Sequence, residues 1–156
     1  MATTTASLTL SSPDLLGDAL SLSSTNTLYK AGTTTGLDQT TGLAKIYLNA
    51  TTAIDIFPTI DETRIAAETD LGENLNAKVY VANLSTTATE YVTITISSQV
   101  VGRLYAGDWM FMPWSQSQDT HTGNLHADIE LAPSVDTGME IEMMCIHEGL
   151  VYPASA

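Results

Sequence analysis

Between residues 124 and 131 the chain alternates without a miss, with Leu125, Ala127, Ile129 and Leu131 set against Asn124, His126, Asp128 and Glu130. A period of two puts the two sets on opposite faces of a strand, and the apolar face then needs a second layer to cover it. Tyr91–Ile96 repeats the pattern, with Val92, Ile94 and Ile96 on one face and Tyr91, Thr93 and Thr95 on the other. Shorter strands are expected over residues 45–48, 53–57 (ended by Pro58) and 78–81. Another covers residues 109–112, launched by the Gly107-Asp108 turn and closed by Pro113. The segment 139–147 begins as alternation and ends apolar on both faces, as for a strand buried between layers. Residues 61–71 fit either a short helix capped by Asp61 or a strand through Thr63, Ile65 and Ala67. No stretch of ten or more residues demands a helix. The expected fold is an all-β antiparallel sandwich, or a jelly-roll-like relative, with little helix and an extended N-terminal arm.

That arm is the first 43 residues, low in complexity and rich in Thr, Ser, Gly and Leu; the body is residues 44–156. The chain holds 24 threonines, a β-branched residue suited to a half-exposed pleated surface. Leu8 and Leu10 flank Thr9 as a weak strand signal. Ser12, Pro13 and Gly17 have the order of an N-cap, a first helical position and a stop, so one helical turn is expected there. Thr33-Thr34-Thr35-Gly36-Leu37 is echoed by Thr40-Thr41-Gly42-Leu43, which suggests a Gly-hinged loop or two short edge strands.

Charge narrows the function classes. The chain carries 18 acidic and 5 basic residues, a net charge of −13. Such a field repels phosphate backbones and anionic bilayers, so neither nucleic acid nor membrane is an expected partner. No apolar run approaches the roughly 20 residues that span a bilayer. The first residues show neither the positive charge nor the apolar core of a secretory signal. The single Cys145, in the run Met143-Met144-Cys145-Ile146, excludes an internal disulfide and reads as a small buried hydrophobe.

No phosphate-binding glycine loop, nucleophile elbow, zinc-protease motif or CxxC pair occurs. The best metal candidate is Asp119 and His121 with His126 and Asp128, the last two sharing the polar face of a strand. The plainer reading is that these are solvated polar groups on a half-buried strand. Glu140 with Glu142, and Asp61 with Glu62, are carboxylate pairs of the kind glycosidases use, in a chain with enough acids to pair some by chance. The chain is read as no enzyme, with no catalytic residues, no cofactor and no metal.

The most individual feature is Trp109-Met110-Phe111-Met112-Pro113-Trp114, which holds both tryptophans and one of two phenylalanines. In a strand, Trp109, Phe111 and Pro113 face one way, and Met110, Met112 and Trp114 the other. One face belongs to the core. The other is either covered by a loop or serves as an interface, since aromatic residues and Met are enriched in interface cores. Leu8, Leu10, Trp109, Phe111 and Trp114 are the candidate interface residues.

From residue 78 onward the order of motifs resembles small virion structural proteins of tailed bacteriophages, particularly capsid decoration (cement) proteins. Carrying the resemblance are Val79-Tyr80-Val81-Ala82-Asn83-Leu84-Ser85, the Thr-rich strand Tyr91–Ile96, Leu104-Tyr105-Ala106-Gly107-Asp108 running into the aromatic knot, and the strand at residues 125–131. It implies a homo-oligomer, a trimer before a dimer, seated on a major capsid protein in the virion. An acidic exterior fits the outside of a shell filled with DNA, and a pliable arm fits addition to a neighbour's sheet edge. The other readings are a phage tail, tube, fibre or adaptor subunit, and a carbohydrate-binding jelly-roll module with the aromatic knot as its sugar platform.

Overall fold

The computed structural model of the chain describes residues 3–15, 17–57, 76–96, 98–115 and 129–148. Every regular element among them is a strand. In chain order these are β1 (Thr5–Leu15), β2 (Asp18–Thr27), β3 (Gln39–Thr40), β4 (Ala44–Leu48), β5 (Ile54–Phe57), β6 (Asn76–Asn83), β7 (Tyr91–Ile96), β8 (Gln99–Tyr105), β9 (Trp109–Ser115), β10 (Ile129–Pro133) and β11 (Met139–His147).

Two antiparallel sheets form the body. One has the order β5-β10-β7-β8; in the other, β9 pairs with β6, β6 with β11, and β11 carries β4 and β3 in succession along its far edge. The alternation predicted from the sequence is the packing plan. In β7, Val92 and Ile94 are buried while Tyr91 and Thr93 are only partly covered, and in β10 Ile129 and Leu131 are fully buried. In the facing sheet, Val79 and Val81 of β6 and Met139, Ile141 and Cys145 of β11 point inward. Both inner faces meet in one apolar cluster, completed by Leu48, Ile56, Leu104 and Trp114. Burying each such aliphatic side chain stabilises the fold by about 1.5–3 kcal/mol. A two-layer sandwich is therefore how this alternating sequence covers itself. Among the described residues no buried side-chain polar atom lacks a hydrogen-bond partner.

Two local expectations are corrected. Ser12 and Pro13 do not open a helical turn but lie within β1, where a bulge between Ser12 and Leu15 accommodates the proline. The turn comes later, with Gly17 at φ +85° and its N–H donating to the Asp14 carbonyl. A positive φ is cheap only for glycine, so Gly17 sets the position of this reversal. Pro113 does not close its strand either, since β9 runs on to Ser115. Among the described residues β9 is paired on one side only, with β6, and an edge strand tolerates a residue that has no N–H to donate. The readings at residues 61–71 and 124–128 lie outside the described residues.

β1 and β2 form a separate two-stranded ribbon. Its base is fastened to the chain that follows: Leu28 N–H donates to the Thr4 carbonyl, Leu37 N–H to the Leu28 carbonyl, and Thr4 Oγ1 to the Leu37 carbonyl at 2.7 Å. Leu28 and Leu37 are buried there. Glu148, just after β11, accepts from the backbone N–H groups of Ala31 and Asn76 and so links this base to the sandwich.

Candidate interaction surfaces

The sandwich turns a corner at residues 105–108. Among the described strands β8 is the last of one sheet and β9 the last of the other, and the chain passes between them through a single tight turn. Asp108 closes it reciprocally: its N–H donates to the Tyr105 carbonyl, and its carboxylate accepts from the Tyr105 N–H, both at 2.9 Å. Gly107 sits at φ +81°. Asn83 completes the corner from the end of β6. Its backbone N–H donates to the Asp108 carbonyl, its carbonyl accepts from Gly107, and its buried amide donates to the Leu104 carbonyl at 3.1 Å.

This corner aims the aromatic knot. Met110 and Met112 pack against the core and Trp114 is buried within it, while Trp109 and Phe111 remain 52% and 38% exposed. Residues paired across antiparallel strands share a face. Phe111 pairs with Tyr80, and Tyr80 with Met144, so an aromatic and thioether row runs across the outer face of the sheet. The Tyr80 hydroxyl donates to Glu142 Oε1 at 3.3 Å. Partial burial, then the Glu142 charge, raise this phenol above its ordinary pKa. Round the corner on β8, Val100, Val101 and Tyr105 are exposed. The Tyr105 ring lies 5.4 Å from that of Tyr91, and the Arg103 guanidinium caps the Tyr91 face at 4.3 Å. The edge is thus apolar and aromatic, and its cation is already engaged.

The second surface is the ribbon. In the register Leu10↔Leu22, Leu8↔Ser24 and Ser12↔Leu20, the leucines Leu8, Leu10, Leu20 and Leu22 lie on one face, each 37–45% exposed. Over residues 5–11 and 21–27 the opposite face carries hydroxyls, Thr5, Ser7, Thr9 and Ser11 against Thr27, Thr25, Ser23 and Ser21, with Ser7 Oγ and Thr25 Oγ1 2.8 Å apart. Sequence reasoning singled out Leu8 and Leu10 and missed Leu20 and Leu22. The available signal was a repeat at a spacing of twelve, Leu8-Thr9-Leu10-Ser11-Ser12 against Leu20-Ser21-Leu22-Ser23-Ser24.

Of the candidate chemical groups, Asp119, His121, His126 and Asp128 lie outside the described residues, as do Asp61 and Glu62. Among the described residues, no three His, Cys, Asp or Glu side chains gather as a metal cage. Glu140 and Glu142 each have their own neighbour. Lys45 Nζ lies 3.1 Å from Glu140, whose hydrogen bond and charge raise the lysine pKa, and Glu142 accepts from Tyr80. Cys145 is buried between the sheets, and loss of solvent pushes its thiol up to about 11. No helix among the described residues is long and apolar enough to cross a membrane. In comparisons with known proteins, no family model matches the chain and no curated protein is similar to it.

Proposed function

We propose that this chain is a non-enzymatic structural protein that docks on the outer surface of a tailed-bacteriophage capsid and cements it, with the β8–β9 edge as its docking surface. The observation that carries the reading is the exposed pair Trp109 and Phe111 on an edge strand held in register by β6. Half-exposed aromatics on a fixed scaffold lose little freedom on binding and supply the anchors from which interfaces draw most of their energy. The net charge of −13 supports an outward-facing position, since a surface against packaged DNA needs cations. The order of strand motifs from residue 78 onward supports the same family of partners. Many equivalent sites on one shell then let modest contacts act together.

The test is co-sedimentation of the purified full chain with assembled shells, and separately with unassembled subunits, of the major capsid protein encoded in the same genome. Saturable binding to shells alone, abolished in the Trp109→Ala/Phe111→Ala double variant, is the expected result. Failure to bind shells, or formation of rings or tubes by the chain in electron micrographs, overturns the capsid reading.

A further inference from the structure

We propose that Lys78 is the reactive amine of this protein, the side chain that small acyl donors (acyl phosphates and thioesters) modify first. The chain has three lysines, Lys30, Lys45 and Lys78, and they differ in what holds the ammonium group. Lys30 Nζ lies 2.7 Å from Asp38, and Lys45 Nζ lies 3.1 Å from Glu140. A carboxylate at that distance favours the charged form, which has no lone pair to attack with. Lys78 has no carboxylate partner among the described residues. Its Nζ donates to Asn76 Oδ1 and, at 3.2 Å, to the Ala77 carbonyl, both neutral oxygens.

The fold sets this environment. Lys78 lies on the same side of β6 as Asn76 and Tyr80, with Ile146 of β11 and Pro113 of β9 directly opposite. Between these apolar neighbours it is partly buried, so the ammonium loses water and gains no opposing charge. Desolvation accordingly holds the Lys78 pKa below the ordinary lysine value, whereas the hydrogen bond to Glu140, and then its charge, raise that of Lys45. Asn76 is itself fixed, its side-chain amide donating to the Tyr29 carbonyl at 2.6 Å and its backbone N–H to Glu148. Its Oδ1 thus stays turned toward Lys78. A lysine activated by lost solvent, still open to small molecules on one side, is the usual setting of a nucleophilic amine.

The chemistry closes without an oxidant or a cofactor. The Nζ lone pair attacks the acyl carbon and a C–N bond forms. The C–O bond to phosphate, or the C–S bond to the thiol, breaks, and the proton on nitrogen passes to water. The product amide keeps one N–H for Asn76 Oδ1 and loses the positive charge. Pro113, opposite Lys78, is two positions from Phe111 on β9, so the acyl group is added beside the exposed aromatic row. The inference is independent of the capsid reading.

The test is timed acetylation of the folded full chain at pH 8 by acetyl phosphate, and in a second arm by an acetyl thioester. Mass spectrometry of the peptides gives the occupancy at each lysine. Lys78 is expected to react about threefold or more faster than Lys30 and Lys45, and the three rates to converge in concentrated urea. Asn76→Asp sets a carboxylate against Nζ and is expected to slow Lys78 about threefold or more. Should that variant fold poorly, Pro113→Glu places the carboxylate on the neighbouring strand instead. Lys78→Arg leaves the rates at Lys30 and Lys45 unchanged. The inference is overturned if Lys78 reacts no faster than the other two lysines in the folded chain. It is equally overturned if its lead persists in urea, or if the added carboxylate leaves its rate unchanged. A lead in one arm alone assigns the site to that class of donor.

Discussion

The side-chain amide of Asn83 donates to the backbone carbonyl of Leu104 across the boundary between the two sheets, 3.1 Å away and out of reach of solvent. The same side chain accepts from Ser85 N–H through its Oδ1 at 3.0 Å. One residue thus satisfies the end of β6, the start of the following turn and the corner between β8 and β9. Asn83→Ala leaves buried backbone groups without partners, each costing about 1–3 kcal/mol. The expected outcome is a drop of that order in unfolding free energy by urea titration. Asn83→Leu, similar in bulk, is expected to fare no better, which would separate lost hydrogen bonding from lost volume.

The two tryptophans give opposite outcomes. Trp114 lies in the shared core, so Trp114→Ala should cost about 3–5 kcal/mol through lost burial and the cavity left behind. Trp109 is 52% exposed, and Trp109→Ala should change stability by less than about 1 kcal/mol. Paired urea titrations followed by circular dichroism check both. A Trp109 variant as unstable as the Trp114 variant would mean that the outer row is structural rather than available for docking.

Cys145 makes a pH prediction. Burial disfavours the thiolate, so the folded-state pKa, raised to about 11, lies above the unfolded value near 9. The native state then holds the proton more tightly than the unfolded chain does. The thiol's contribution is fully present below pH 9 and is lost as pH rises through 11. Cys145→Ala, although less stable at neutral pH, should show a shallower loss of stability between pH 9 and 11. In the wild type, reaction with a thiol reagent at pH 8 should require unfolding and accelerate sharply in denaturant.

What could be read from the sequence was whatever is decided within a few residues. The alternation of Tyr91–Ile96 and the two faces of the aromatic knot are properties of neighbouring positions, and both appear in the fold as the sequence implied. The ribbon was harder because its sense depends on pairing at a distance. Pro13 next to Ser12 is a helix-start signal locally, yet the partner strand starting at Asp18 outweighs it. The leucine face exists only once Leu10 is set opposite Leu22. In the same way, β4 and β3 reach β11 across roughly a hundred residues of chain, as in Ile46 opposite Ile141, and no local pattern specifies that order. Of the candidate aromatic interface residues, Trp109 and Phe111 are exposed, whereas Trp114 is buried because its side of β9 faces the second sheet, which corrects its reading as an interface residue; of the leucine face only Leu8 and Leu10 were singled out.

Among the described residues the four lysines and arginines are each engaged close to their own strands, and this has a consequence for how the protein responds to salt. Lys30 holds Asp38 at 2.7 Å, Lys45 holds Glu140, Lys78 is bonded to Asn76, and Arg103 caps Tyr91. With these spent locally, the remaining acids set a field of one sign over the exterior, while the surfaces suited to contact are uncharged. Dissolved salt then quiets the repulsion between copies and takes little from the contacts themselves. Contacts made through such uncharged surfaces should therefore weaken far less as salt rises than contacts made by ion pairs.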